Sequence, residues 1–280
     1  MDRNPPEIIV WGIDPTAELE IQLRVMSALA TLAKSWNAVI EPVCVIKPRH
    51  LHSDRLETLF EDLVSKINLP GFGAPYAIEC RTETVAAKAE TLAMYAAEKS
   101  ARMLVVGSHA RHGLQRALLG SFSESLILIS PVPVYVVNPH SASCAERIER
   151  ILFPTDFSAS SRNGLELVTS VAREMAAELV IFSRRKPNTA EDFVNKAEAW
   201  ATWVAGQNVR VQLVLDEGPD NTAEAIVRYA RTNTCDMISM ISQAGLLKSN
   251  LLASTTREVA RTAGCPVWVQ HTFPYSSARK

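Results

Sequence analysis

"VVGSHARHGLQRALLGSFSESL", Val105–Leu126, holds three of the chain's eleven glycines, Gly107, Gly113 and Gly120. An apolar run precedes it and a helix-like segment, "FSESLILIS", follows. A strand, a glycine loop and a helix start form a common cradle for an anion. The first amides of a helix lack intrahelical acceptors, and its dipole favours negative charge there. Glycine lets the backbone approach a ligand closely. His109, Arg111, His112 and Arg116 place basic groups in the loop. No GKS or GKT follows, so this is not a Walker loop, and GxGxxG is absent.

Reading outward, the order of elements occurs twice. "EIIVWGID" (Glu7 to Asp14) and "RILFPTD" (Arg150 to Asp156) are apolar runs ending in aspartate. Each precedes a helix-like stretch. "AVIEPVCVIKP" then matches "AELVIFSRRKP", "YAAEKSARMLVVGS" matches "YARTNTCDMISMIS", and "SPVPVYVV" matches "GCPVWVQ". This predicts two copies of one domain, 1–142 and 147–280, joined through "NPHSASCAER". Short β-branched runs alternate with helical periods in each copy. The expected class is therefore α/β, with doubly wound parallel sheets and ligands at the strands' carboxyl ends. Pro42 falls inside the second run, where a missing N–H interrupts a ladder. A bulge or a place near the strand's start is expected for it.

Bulk properties narrow the function. A net charge of −1 gives no general affinity for nucleic acid or acidic membranes. No run approaches the roughly 18 apolar residues of a membrane span. The five cysteines, Cys44, Cys80, Cys144, Cys235 and Cys265, show no CxxC spacing. That fits reduced, packed thiols in a cytoplasmic protein. His109 and His112 stand three apart without a flanking acidic or cysteine cluster, which argues against a metal site.

The spacing from Gly107 through Ala110 to Gly120-Ser121, the Asp-ended first strand and the closing "PVPVYVV" together resemble the universal stress protein family. Its motif is G-x2-G-x9-G-[ST]; here it reads "GSHARHGLQRALLGSFSE", with Ala110 in place of the second glycine. The resemblance implies an adenine nucleotide alpha hydrolase-like fold in each copy, a five-stranded parallel sheet with four helices. It implies ATP as ligand, with Mg2+ as an accompanying ion. Gly12, Asp14 and Val45 would lie on the adenine and ribose side. Gly107, His109, Ala110, Gly120, Ser121 and Ser123 would hold the phosphates. It also implies pairing of the two copies through their last strands, a homodimer of the chain, and a role in stress response.

Several of these residues carry a purely structural reading as well. Ser121 to Glu124, "SFSE", is a capping box, and Asp14 and Asp156 are candidate helix N-caps. The stripe Phe193, Ala197, Trp200 and Val204 reads as core or as the lining of an apolar pocket. Counting back from the last strand of the second copy puts Met240 opposite Gly107, Gln243 opposite Ala110, Ala253 opposite Gly120 and Ser254 opposite Ser121. The second copy is therefore expected to bind ATP weakly or not at all. No nucleophile–base pair or acidic Mg2+ pair is assembled, so a binding protein rather than an enzyme is expected. The alternative is a nucleotide-independent scaffold or chaperone-like protein with both sites inactive.

Overall fold

The computed structural model describes residues 6–46 except 15, 16 and 18; residues 71–141 except 83 and 109–120; and residues 146–185, 192–242 and 250–271. Residues 58, 61, 62 and 65 are described singly, and the side chains of 250–253 are not. His109, Ala110 and Gly120, three of the expected phosphate residues, lie outside the described residues. So do Gln243 and Gly113.

The chain divides into two compact units, Met1–Pro139 and His140–Lys280. The first contains β1 (Ile8–Ile13), α1 (Leu19–Trp36), β2 (Val39–Ile46), β3 (Tyr76–Glu79), α2 (Val85–Glu98), β4 (Met103–Gly107), α3 (Ser121–Ile129) and β5 (Val134–Val137). Its strands lie in the order β3-β2-β1-β4-β5 and every pairing is parallel. The second contains β6 (Arg150–Pro154), α4 (Ala159–Glu174), β7 (Glu178–Arg184), α5 (Asp192–Ala205), β8 (Val211–Asp216), α6 (Thr222–Thr232), β9 (Met237–Ser242), α7 (Asn250–Thr262) and β10 (Val267–His271). Its order, β8-β7-β6-β9-β10, is the same and is also parallel. The α/β doubly wound class expected from the sequence is the observed one. Among its described residues the second unit has four helices. In the first, residues 47–70 between β2 and β3 are described only at Thr58, Glu61, Asp62 and Ser65, all helical.

Strands sandwiched between helices are apolar throughout, as in the fully buried Ile9–Ile13 and Met103–Val106. Each helix presents one stripe to its sheet; in α1 this is Gln22, Val25, Met26, Leu29, Leu32 and Ala33. Helices hand over to strands through a residue in the left-handed region: Asn37, Ser100, Ala176 and Thr234, with φ between 47° and 54°. The amide that follows each reaches five residues back, as in Ala38 to Ala33 O at 3.0 Å and Ala101 to Ala96 O at 2.8 Å. This closes the helix end without glycine.

Pro42 is neither at a bulge nor at the start of its strand. It pairs with Trp11 in mid-β2. Ile40 donates to Gly71 O and accepts from Gly73 N, and Ile46 O accepts from Cys80 N. Even positions of β2 thus point toward β3. At Pro42 that side is the segment before Tyr76, where β3 has not begun, so no ladder bond is lost.

Strand register also corrects the equivalence of Gly107. In β4–β5, Leu104 pairs with Val134 and Gly107 with Val137. In β9–β10, Ile238 pairs with Val267 and Ile241 with Gln270. Ile241, not Met240, therefore stands opposite Gly107. The helix-to-strand connections after α3 and α7 are equal in length, so Ser254 does stand opposite Ser121. The difference falls in the preceding loop, which is one residue shorter in the second unit. Counting back from the last strand slips there.

A packing exchange explains the two side chains. A Cβ on Gly107 would lie 3.1 Å from Cγ2 of both Ile21 and Val25 on α1. A Cβ on Gly164 of α4 would lie 1.9 Å from Cδ1 of Ile241. In the first unit the bulk sits on the helix and the glycine on the strand; in the second this is reversed. Gly107→Ile alone should destabilise the first unit by about 1–3 kcal/mol through overpacking. Adding Ile21→Gly should restore part of that loss, leaving a favourable coupling energy of about 0.5–3 kcal/mol in a double-mutant cycle read by urea unfolding.

Candidate functional site

In the first unit the strand order reverses between β1 and β4. Such a reversal leaves a crevice outside the carboxyl ends of the two strands, where open α/β sheets take ligands. Gly12 pairs with both Val43 and Val106, so Asp14, Val45 and Gly107 come to one edge of the sheet. Each βα connection also starts its helix at this edge, so the positive ends of α1, α2 and α3 converge there.

The sequence-derived residues differ in what they do. Gly12 is bare because of packing: a Cβ would lie 2.6 Å from Leu92 Cδ2 and 2.9 Å from Val106 Cγ1. Val45 is 6% exposed, at the end of β2 beside Ile78 of β3. Asp14 leaves β1 in a turn whose carbonyl accepts from Ala17 N at 3.1 Å and from Gln22 Nε2 at 2.7 Å. Helix α1 begins at Leu19, so Asp14 is too far upstream to be its N-cap. Ser121 opens α3, is exposed, and its carbonyl accepts from Ser125 Oγ at 2.8 Å. Ser123 is buried, and its Oγ donates to Gly107 O at 3.2 Å. That bond ties the start of α3 to the end of β4 and sets the entry and exit of the glycine loop.

Two contributors were not read from the sequence. Gln22 is 3% exposed and fixes the Asp14 turn. Its signal was a polar residue at a position on the apolar stripe of α1. Cys44, one residue before Val45, has its thiol pushed up to about 12, first by burial and then by the Asp14 carboxylate, against a lowering by Lys88. The thiol stays protonated, and Asp14 and Lys88 both lie within electrostatic reach of it. Among the described residues no three His, Cys, Asp or Glu side chains gather as metal ligands, and no helix is long and apolar enough to cross a membrane.

The corresponding edge of the second unit is built differently. Asp156 is not the N-cap of α4; Ser158 is. Asp156 Oδ1 accepts from Ser158 N at 3.0 Å and Ser161 Oγ at 2.8 Å. Burial opposes its charge, yet these hydrogen bonds together hold the carboxyl below its usual value. Phe157, with φ 56°, stacks edge-on against Phe193 and Trp200, each at 5.1 Å. The aromatic stripe of α5 is thus filled from within the unit, and Arg162 lies 4.3 Å over the Trp203 ring. Of the two readings of this stripe, core packing is the one observed: Ala197, Trp200 and Val204 are buried.

These features define a duplicated, doubly wound α/β protein. The family model described as "Universal stress protein family" matches residues 7–138 and again 147–271. The chain therefore belongs to the universal stress protein family and carries two tandem copies of its domain. Among solved structures it is similar to a universal stress protein from Archaeoglobus fulgidus DSM 4304, at 20% identity and TM-score 0.71, covering 94% of this chain and 96% of that one. A putative universal stress protein from Pseudomonas aeruginosa UCBPP-PA14 is 17% identical, with TM-score 0.63, covering 95% and 92%. A universal stress protein from Archaeoglobus fulgidus, solved in complex with dAMP, is 16% identical, with TM-score 0.35, covering 43% and 96%. A search of curated protein sequences gives no significant match.

At the end of β10, burial pushes the His271 imidazole from 6.5 down to about 4. The unfolded chain then binds this proton more readily than the folded one. The resulting stability is complete above pH 6.5 and falls as pH drops from there toward 4. Denaturant unfolding across this window should show that slope, and His271→Gln should flatten it.

Proposed function

We propose that the first unit binds an adenine nucleotide, ATP accompanied by Mg2+, at the carboxyl edge of β1, β2 and β4. Occupancy acts as a stress or energy signal in the cytoplasm. The observation that carries this reading is the reversal of strand order between β1 and β4. It gathers Asp14, Val45, the Gly107 end of β4 and the start of α3 around one crevice. Asp14 offers a carboxylate to ribose hydroxyls. Val45 offers an apolar wall to the base. The loop between Gly107 and Ser121 offers amides to the phosphates. The protein works by binding rather than by turnover, and pairs as a homodimer.

A second reading, a nucleotide-independent scaffold, has its own support. Gly12 and Gly107 are bare for packing reasons, and Ser123 spends its hydroxyl on Gly107 O. None of these three needs a ligand to explain it.

Isothermal titration of the full chain with Mg2+-ATP separates the two. The binding reading expects saturable uptake, and an Asp14→Ala variant with affinity about tenfold weaker, the worth of a hydrogen bond to a charged group. Asp14→Ala should leave the thermal midpoint near that of the parent chain. Absence of heat and of any ATP-dependent amide shift between Gly107 and Ser123 would leave only the scaffold.

A further inference from the structure

The strand registers let the two units be compared place by place. Ile9 pairs with Ile40 and Met103 in the first unit; Ile151 pairs with Leu179 and Met237 in the second. Moving along β2 and β7 from those pairs, Val45 and Arg184 occupy the same place. Their neighbours on the next strand, Ile78 and Asp216, also occupy the same place. An apolar pair in the first unit is thus an ion pair in the second.

That ion pair is held on every side. Arg184 Nη1 donates to Asp216 Oδ2, and Arg184 Nη2 donates to the carbonyls of Gly218 and Asp220, both at 2.7 Å. Arg228 Nη2 from α6 donates to Asp216 Oδ1 at 3.1 Å, and its Nη1 lies 2.8 Å from Asp220 Oδ2. The Arg184 and Asp216 side chains are only 17% and 19% exposed. The segment then enters α6 through a capping box between Asn221 and Glu224. Arg184 therefore fastens the β8–α6 turn onto the carboxyl edge of the sheet.

We infer that the Arg184–Asp216 clamp closes the second unit to a purine base, so that the tandem chain carries a single base site, on the first unit. The inference rests on the reading that the first unit takes an adenine nucleotide along Val45. A flat apolar base gains by covering the half-buried Ile78, beside the nearly buried Val45. Against β7 it would have to part the Arg184 guanidinium from three acceptors and leave that largely buried charge without compensation, Asp216 alone keeping a partner in Arg228. The glycine exchange does not account for the difference. The Ile241 side chain points at Gly164 of α4, so it fills a helix–strand gap rather than the crevice.

Two experiments on the full chain test this. Photolabelling with an azido-adenine analogue of ATP, followed by peptide mapping, should mark first-unit peptides only. Label on peptides from β7 through the β8–α6 turn overturns the inference. Carrying the pair into the first unit as Val45→Arg/Ile78→Asp, both residues together so that neither charge stands alone, should weaken ATP binding at least tenfold, or about 1.4 kcal/mol. A folded double variant, judged by circular dichroism, that binds ATP like the parent also overturns it. If the double variant does not fold, the labelling of the parent chain decides. If the parent chain takes up no ATP at all, the nucleotide reading fails and this inference fails with it. ATP uptake with label in the second unit removes the inference alone.

Discussion

The parallel pairing of β1 with β2 on one side and β4 on the other is the constraint on which the first unit depends. A central strand bonded on both edges must be apolar on both faces, and Ile9–Ile13 is fully buried. The chain leaves β1 toward one side and returns to the other, so the two halves of the sheet diverge at its carboxyl end. That divergence opens the crevice and brings three helix starts to it. β6 repeats the arrangement in the second unit, between β7 and β9.

Close approach between helix and strand is the second requirement, and it changes how the glycines are understood. Gly12 admits Leu92 of α2, and Gly107 admits Ile21 and Val25 of α1. Each glycine is bare on the face turned to a helix, whatever a ligand does at the rim. The second unit meets the same requirement with the opposite choice, Ile241 on the strand and Gly164 on the helix. Losing the strand glycine is therefore no measure of lost ligand binding. Two sequences can fill one volume as long as the summed bulk across the contact is conserved.

The two units keep a common core and differ at the rim, for a physical reason. Core positions on β1 and β6 accept only apolar side chains of suitable volume. Rim positions at the carboxyl edge meet solvent on one side and tolerate a wholesale change of chemistry, provided each polar group finds a partner. Val45 with Ile78 is one solution and Arg184 with Asp216 is another. Asp14 and Asp156 diverge in the same manner. The first has its turn fixed through its main-chain carbonyl by Gln22, and the second has its carboxylate engaged by Ser158 and Ser161.

Much of this was legible in the chain. Apolar runs ending in aspartate, repeated once, specify two doubly wound units because periodicity and strand ends are local properties. The spacing from Gly107 to Ser121 carried the family resemblance for the same reason. The place of Pro42, the one-residue slip that puts Ile241 opposite Gly107, the function of Gln22 and the Arg184–Asp216 clamp were not legible. Gln22 reaches back only eight residues, to the carbonyl of a turn; the others depend on which residues of separate strands come level with one another, and that is set by hydrogen-bond register between segments far apart in sequence. Local pattern determined what the elements are; only their pairing decided which side chains meet at the rim.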